Sequence, residues 1–300
     1  MDGFAPSDIN GNYKRPNGLV LDETFHYDSN SESNLFLLVG EACPWCHRTL
    51  LLHKINNLSD KVKIIFLKPD IDRGRWVFQE KFYGKRSLEE IYRNSTNNMT
   101  LGLRETLPIL ISSQKDSFRI LSNESSGILA FFSNISNERE SKELSVNKSN
   151  ESIINMIDKK INNGVYKCGF ARSQKAYQIA SKDLFDALVK IENKLEISRG
   201  PWLSGNKISI LDIYLFPTLI RWELIYSKLF KCTEKEISEF KNILKWRLNF
   251  FNLKGVDETC FEKTWSEDYF KALFPLNPNQ IVPIQDSLKN ILRKNKTLIE

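Results

Sequence analysis

Residues 43–48 read Cys-Pro-Trp-Cys-His-Arg, and this order suits thiol chemistry. An apolar run at 35–39 precedes them, and residues 49–55 continue with good helix formers at helical spacing. The pattern predicts a strand that leads into the N-terminus of a helix. Unpaired backbone N–H groups and a partial positive charge at such an N-terminus stabilise a thiolate. We therefore predict that Cys43 is a redox-active nucleophile and that Cys46 is a candidate resolving cysteine.

Other uses of the two cysteines fit the sequence less well. Cys-x-x-Cys-His is also the attachment pattern of a c-type haem, but that chemistry belongs to exported proteins. The first residues lack the basic and apolar regions of a signal peptide. A zinc site needs two further ligands, and the chain has three histidines and no second Cys-x-x-Cys. We expect neither haem nor metal, while a structural pair of buried cysteines stays open as an alternative.

The composition favours a protein of the cytoplasm with two domains. The 300 residues suit two domains of ordinary size, and 41% hydrophobic residues suffice for real cores. A net charge of +6 with scattered lysines gives no nucleic-acid footprint. Five cysteines without a signal peptide favour a reducing compartment. The longest apolar stretch, 208–220, contains Asp212 and Pro217 and is too short to span a bilayer, so we expect no membrane segment.

Strand and helix signals alternate in the first half of the chain. Helices are predicted after Cys43 and after Glu124, and the segment 71–100 is interpreted as an insertion. The strand candidates are 35–39, 62–67, 107–111 and 118–121. This β-α-β then β-β-α order is the one that a thioredoxin-like domain would give.

Helical periodicity dominates the second half. Apolar residues recur at three- and four-residue steps from Ala176 to Leu195, which predicts a long amphipathic helix capped by Ser173. Beyond it, Ser209 and Asp212 have the spacing of a capping box, which by itself indicates only a helix start. We predict an N-terminal extended arm at 1–34, a thioredoxin-like domain at 35–132, a linker at 133–150, a helical domain at 151–275 and a C-terminal tail at 276–300.

The chain resembles the glutathione transferases in two features. A thiol motif comes first, and the helical half that follows contains Trp-Leu-Ser-Gly-x-x-x-Ser-x-x-Asp at 202–212. Further motifs narrow the resemblance to the xi class, the glutathionyl-hydroquinone reductases. They are Cys43–Thr49, Asn123–Ser126, Asn162–Ala171, Phe230–Cys232 and Asn277–Pro283. The resemblance runs from about residue 35 to 285 and implies an α/β thioredoxin-like N-terminal domain plus an all-α glutathione-transferase C-terminal domain.

The resemblance assigns most of the glutathione contacts to the first domain. It implies that Cys43 faces the glutathione sulfur and that Leu107-Pro108 forms a cis-proline turn whose backbone pairs with the peptide. Glu124 and Ser125 correspond to the pair that holds the γ-glutamyl end. A helix start favours the α-carboxylate there, and Glu124 can pair with the ammonium group. An ordinary helix cap is the alternative role of this pair.

Other site residues are also implied by the resemblance. Trp76 and Arg104 match a tryptophan and an arginine that contact glutathione, with core packing and a solvated loop as the alternatives. Tyr166 and Tyr226 match tyrosines near the reacting ring and are candidate proton donors, unless they only pack in the core. Tyr269 belongs to the expected aromatic substrate pocket.

The chain also shows three departures from the family pattern. Cys46 stands where the family usually has alanine. The family sequence His-Tyr-Tyr reads Asp268-Tyr269-Phe270 here, and Leu273 replaces a nearby histidine. These changes concern the substrate pocket more than the glutathione contacts.

The sequence therefore predicts an enzyme that uses glutathione as co-substrate to remove glutathione from glutathionyl-(hydro)quinones through a Cys43–glutathione mixed disulfide. One alternative is an omega- or glutaredoxin-like thioltransferase, or a dehydroascorbate reductase, that uses Cys43 and Cys46. The other is a non-catalytic glutathione-binding interaction module. The expected partners are glutathione and an aromatic or quinone-type small molecule, and the resemblance implies a homodimer.

Overall fold

The protein is described from a computed structural model, which covers residues 6–14, 33–71, 73–95, 105–114, 117–136, 144–273 and 275–300. The described residues form two compact units. The first lies between residues 17 and 142, and the second combines the residues before 17 with those from 143 onward.

The first unit is built on a mixed β-sheet with helices packed against it. The described strands are β1 (Asn34–Gly40), β2 (Val62–Asp70), β3 (Arg75–Phe82), β4 (Lys85–Ser87), β5 (Ile109–Gln114) and β6 (Ser117–Ser122). The helices are α1 (Pro44–Ile55), α2 (Leu88–Arg93) and α3 (Ser125–Ile135). The strands join in the order β4-β3-β2-β1-β5-β6, with β1 and β2 parallel and the other pairs antiparallel.

The four predicted strands and two predicted helices of this unit are present. β1 is buried at every residue after Asn34, as expected of a central strand that feeds the thiol motif. The predicted insertion at 71–100 contributes more than a loop, since β3 and β4 extend the sheet beyond β2. The first unit thus has the predicted thioredoxin-like order with an added hairpin.

The second unit is helical. Its α-helices are α4 (Glu151–Met156), α5 (Gly164–Gly169), α6 (Gln174–Ile197), α7 (Ile210–Leu219), α8 (Ser227–Leu229), α9 (Lys241–Phe251), α10 (Glu262–Ala272) and α11 (Leu288–Ile299). Two π-helical segments, Ile157–Asn162 and Trp222–Tyr226, follow α4 and precede α8. Ser173 caps α6, as predicted, by accepting the Ala176 N–H.

The predicted capping box at the start of α7 is confirmed. Asp212 is fully buried, and one of its carboxylate oxygens accepts the Ser209 N–H and hydroxyl at 2.8 and 2.9 Å. Its other oxygen accepts the Leu203 N–H and the Trp246 indole N–H. A helix cap thereby also joins the preceding turn and α9 to α7.

Residues near both ends of the chain belong to the helical unit. Within the expected extended arm, residues 6–14 form a compact turn in which Asp8 accepts the Asn12 N–H. This turn joins the helical unit, because the Arg172 N–H donates to the Gly11 carbonyl at 2.9 Å. The expected tail at 276–300 contains helix α11, which packs against α9 through an apolar stripe that the sequence interpretation overlooked. Within the described part of the chain, none of the helices combines the length and hydropathy needed to cross a membrane.

Candidate active site

Cys43 lies at the N-cap of α1, where the sequence predicts it. Its backbone is extended, with φ −72° and ψ 120°, and its sulfur accepts the Cys46 N–H at 3.4 Å. The side chain is partly exposed. A sulfur that accepts an N–H group from the first turn of a helix is well placed to carry negative charge. The local structure therefore suits a thiolate that an incoming sulfur can reach.

Cys46 has different surroundings, although it lies only one turn further along α1. Its side chain is 0% exposed, and its sulfur accepts the Gly40 N–H at 3.4 Å. A resolving cysteine must reach the disulfide that it opens. Burial at the junction of β1 and α1 disfavours that role and favours a packing role.

The Leu107-Pro108 peptide bond is cis, as predicted. The Cys43 thiol donates to the Leu107 carbonyl with a sulfur-to-oxygen distance of 3.8 Å. This contact brings together two predicted site elements that are 64 residues apart in the sequence. The turn before β5 and the start of α1 therefore form one thiol site within the first unit.

Glu124 and Ser125 lie at the start of α3. Glu124 is the N-cap residue, yet its carboxylate does not cap the helix, and its side chain is partly exposed. Ser125 is buried, and its hydroxyl oxygen accepts an N–H from the Arg48 guanidinium at 3.2 Å. The exposed Ser126 follows in the first turn of the helix. This helix start combines N–H groups with an acidic side chain, the two features needed to recognise the carboxylate and the ammonium of an amino acid.

Arg48 contacts the start of α3, and the sequence did not lead us to predict this contact. It is only 4% exposed, and it joins α1, which carries the thiol, to the helix start at Ser125. Its position five residues after Cys43, directly before the buried residues 49–53 of α1, is a signal that could have drawn attention to it.

Trp76 lies across the end of β1. A Cβ atom built on Gly40 would lie 2.7 Å from two atoms of the Trp76 ring, so glycine permits the close approach of the ring to the backbone. Trp76 is only partly buried and lies next to the strand end that precedes Cys43. The predicted contact at Arg104 lies outside the described residues.

The second unit holds a cluster of three tyrosines. The Tyr166 and Tyr269 hydroxyl oxygens are 2.6 Å apart, and those of Tyr226 and Tyr269 are 3.3 Å apart. The Phe230 ring packs against all three tyrosine rings, with centroid distances between 5.1 and 5.9 Å. The close approach of Phe230 requires Gly169, where a Cβ atom would lie 2.1 Å from the phenylalanine ring.

The three tyrosines differ in exposure. Tyr226 is 0% exposed and Tyr269 is 5% exposed, whereas Tyr166 is partly exposed. Burial raises the pKa of Tyr226 well above that of a free phenol, while the positive charge of Arg221 acts in the opposite direction. Tyr226 is therefore a neutral hydrogen-bonding group behind Tyr269, and Tyr166 presents the cluster to solvent.

Comparisons with known proteins agree with this architecture. The family model described as "Glutathione S-transferase, C-terminal domain" matches residues 174–248. The protein named glutathionyl-hydroquinone reductase YqjG from Escherichia coli K12 is 30% identical over 261 residues, which cover 83% of this chain and 78% of that protein.

Solved structures give the same result. The xi glutathione S-transferase from Phanerochaete chrysosporium superposes with a TM-score of 0.80 at 25% identity, covering 95% of this chain and 96% of that one. The glutathione-bound structure of YqjG superposes with a TM-score of 0.72 at 28% identity, covering 85% of this chain and 86% of its own.

Proposed function

We propose that this chain, which belongs to the xi class of glutathione transferases, is a glutathione-dependent reductase that removes glutathione from glutathionyl-hydroquinones. The observation that carries the proposal is the position of the Cys43 sulfur, which accepts a helix N–H and lies against the cis Leu107-Pro108 turn. The name of the Escherichia coli relative supports the hydroquinone substrate.

Glutathione recognition is proposed to use the residues around this thiol. The backbone N–H groups at the N-terminus of α3 would donate to the α-carboxylate of the γ-glutamyl group. The Glu124 carboxylate would pair with the ammonium of the same group. The backbone of Leu107 would align the peptide next to Cys43. Trp76 and Arg104 complete the proposed contacts, the latter with the glycyl carboxylate.

The chemical step is a thiol exchange at the glutathione sulfur. The Cys43 thiolate attacks the sulfur of the aryl thioether, forming the Cys43–glutathione S–S bond and breaking the bond between sulfur and ring carbon. The electron pair of the broken bond stays on the ring carbon, which takes up a proton and leaves as part of the hydroquinone. A second glutathione then attacks the mixed disulfide, so oxidised glutathione leaves and the Cys43 thiolate is restored.

The ring carbon needs a proton donor, and we assign that role to the tyrosine cluster. Tyr166 is the exposed member, and its hydroxyl is within 2.6 Å of the Tyr269 hydroxyl. After Tyr166 gives up its proton, a hydrogen bond from Tyr269 would stabilise the phenolate. Reduction of a simple disulfide expels a thiolate and needs no such proton.

The buried state of Cys46 supports a monothiol cycle rather than a dithiol one. Steady-state assays of the pure protein with glutathionyl-menadiol and with β-hydroxyethyl disulfide test the proposal. We expect turnover of both substrates with glutathione. Turnover of the disulfide alone would support the thioltransferase alternative, and turnover of neither would support the non-catalytic module.

A further inference from the structure

Arg221 is a fully buried cation next to the tyrosine cluster. It is 0% exposed and directly precedes the π-helical segment Trp222–Tyr226. One N–H of its guanidinium donates to the Pro217 carbonyl at 2.8 Å, and the guanidinium carbon lies 3.8 Å from the centroid of the Trp265 ring. A hydrogen bond and a stacking contact thus fix the position of the charge.

One of the two elements that contact Arg221, α10, also carries Tyr269, and the segment that begins after Arg221 ends in Tyr226. Trp265 lies one turn before Tyr269 on α10, and Tyr226 is the last residue of the π-helical segment. The Tyr226 hydroxyl interacts with the hydroxyls of Tyr166 on α5 and Tyr269 on α10, and the charge of Arg221 acts on it electrostatically. The positive charge of Arg221 lowers the pKa of Tyr226, against the larger and opposite effect of burial.

Such a charge matters most when the cluster becomes anionic. Loss of the Tyr166 proton leaves a phenolate whose oxygen is 2.6 Å from the Tyr269 hydroxyl, which is itself 3.3 Å from the Tyr226 hydroxyl. Hydrogen bonds in such a chain polarise one another, and a fixed positive charge in a buried site stabilises developing negative charge. The chain Tyr226–Tyr269–Tyr166 therefore links the Arg221 end of the cluster to its exposed end.

We propose that Arg221 is a positioning residue that, through Tyr226 and Tyr269, stabilises the Tyr166 phenolate formed when the cluster protonates the leaving ring. This inference rests on the proposed function. The proton moves from the Tyr166 oxygen to the ring carbon as the carbon–sulfur bond breaks, and solvent later returns a proton to the partly exposed Tyr166.

Substitution of Arg221 separates its charge from its packing. Arg221→Met removes the charge, Arg221→Gln keeps a donor for the Pro217 carbonyl, and Arg221→Lys keeps the charge. We expect the two neutral variants to lower kcat for glutathionyl-menadiol by about fivefold, a smaller loss than removal of the Tyr166 hydroxyl itself, with little change in KM. Reduction of β-hydroxyethyl disulfide should stay near the wild-type rate, and Arg221→Lys should recover most of the lost kcat.

The pH profile gives a readout that a purely structural role would not change. Because a positive charge favours the phenolate, its removal should move the alkaline limb of kcat for glutathionyl-menadiol to higher pH. Lys228→Met is the matched control, since it removes the same charge two residues after Tyr226 from an exposed side chain that water screens. We expect this control to leave both rates and the profile unchanged.

Each result has a distinct meaning. If the wild type turns over glutathionyl-menadiol but the neutral variants match it, or lose both reactions equally, the role of Arg221 is wrong and the proposed function stands. If the wild type reduces only the disulfide, the proposed function fails and this inference fails with it. The Gln variant decides the matter if thermal melts show that Arg221→Met does not fold.

Discussion

Cys43 and Cys46 are one helical turn apart, yet only the first is exposed to solvent. Cys43→Ser should abolish glutathione-dependent turnover, because an alcohol at this N-cap stays protonated where a thiol ionises. Cys46→Ala should keep most of the activity, since the Cys46 side chain is 0% exposed. Steady-state rates of the two variants check this prediction. A Cys46→Ala enzyme as inactive as Cys43→Ser would require a dithiol cycle.

Glu124 is the acidic residue at the start of α3, and its carboxylate does not cap the helix. Glu124→Gln should weaken glutathione binding roughly tenfold, because a charge-assisted hydrogen bond contributes about 1.5–3 kcal/mol. Calorimetric titration with glutathione measures the effect. Glu151→Gln, at the exposed start of α4, is the control and should leave the dissociation constant unchanged. An unchanged constant for Glu124→Gln itself would reject its assignment to the γ-glutamyl end.

Tyr166 and Tyr226 lie in one cluster but differ in exposure, so their roles should separate. Tyr166→Phe should slow glutathionyl-menadiol turnover by about tenfold or more, as expected for loss of a positioned acid. Tyr226→Phe should have a smaller effect, because its buried hydroxyl acts through Tyr269. Disulfide reduction should stay near the wild-type rate in both variants. Equal losses in both reactions would mean that the tyrosines only pack in the core.

At the scale of elements, an ion pair between the buried Arg247 and the partly exposed Glu223 joins the helices of the second unit. Both carboxylate oxygens of Glu223 accept N–H groups from Arg247 at 2.7 Å, and Asn295 of α11 donates to one of them. Burial is the largest single effect and raises the pKa of Glu223, but the charge of Arg247 and the hydrogen bonds from Arg247 and Asn295 together outweigh it, so the net shift of the pKa is downward. The pair therefore links the Trp222–Tyr226 segment, α9 and α11.

A depressed carboxyl pKa makes the stability from this pair depend on pH. The contribution is present above the ordinary glutamate pKa of 4.5. It is lost as pH falls through the lower pKa that Glu223 has in the folded state. Glu223→Gln should reduce the free energy of unfolding by about 2 kcal/mol or more at neutral pH. The difference from wild type should shrink in acid.

Chemical denaturation at several pH values measures this difference. Asp186→Asn, which breaks an exposed pair with Lys182, should have little effect at any pH. A Glu223→Gln difference that grew toward acid pH would contradict the assigned sign.

The predictable elements were those with a strong local pattern. β1 and α6 follow from an apolar run and from regular helical spacing, and the α7 cap follows from the spacing of Ser209 and Asp212. The β3–β4 hairpin was missed, since only Phe78 is buried along β3 and the three residues after it are exposed. A strand stabilised by pairing at the edge of a sheet leaves little hydrophobic pattern in its sequence.

At the scale of the whole molecule, the beginning of the chain packs against its helical half. Gly11 has a φ of +81°, and a Cβ atom there would lie 3.1 Å from the Ser173 backbone nitrogen. Gly11→Ala should therefore lower the free energy of unfolding by about 1 kcal/mol or more and expose residues 6–14 to proteases. Gly74→Ala is the matched control, because it has φ +62° but nothing within 4 Å of the added carbon.

Thermal melts and limited proteolysis of the two variants isolate the contact. If residues 6–14 are equally protected from proteolysis in the two variants, the contact with the start of α6 contributes little to stability.

The candidate site was only partly predictable from the sequence. Cys43 lies in a local motif, so its position followed from a short stretch of sequence, whereas the cis Leu107-Pro108 bond was expected only from the family resemblance. The tyrosine cluster joins residues 166, 226 and 269. No short sequence pattern indicates the contacts between their hydroxyls or the effect of the buried Arg221 charge. Family resemblance identified the three tyrosines, but the order of their hydrogen bonds and the burial of Tyr226 depend on how distant helices pack.

The central claim is that Cys43 takes glutathione from a glutathionyl-hydroquinone. Intact-mass spectrometry after incubation with glutathionyl-menadiol, without free glutathione, tests it most directly. We predict a mass increase of one glutathione, mapped to Cys43 by peptide analysis, reversed by a reductant and accompanied by release of one menadiol. Cys43→Ser should show neither the adduct nor the release. Release of menadiol without an adduct, or an adduct on another cysteine, would contradict the account.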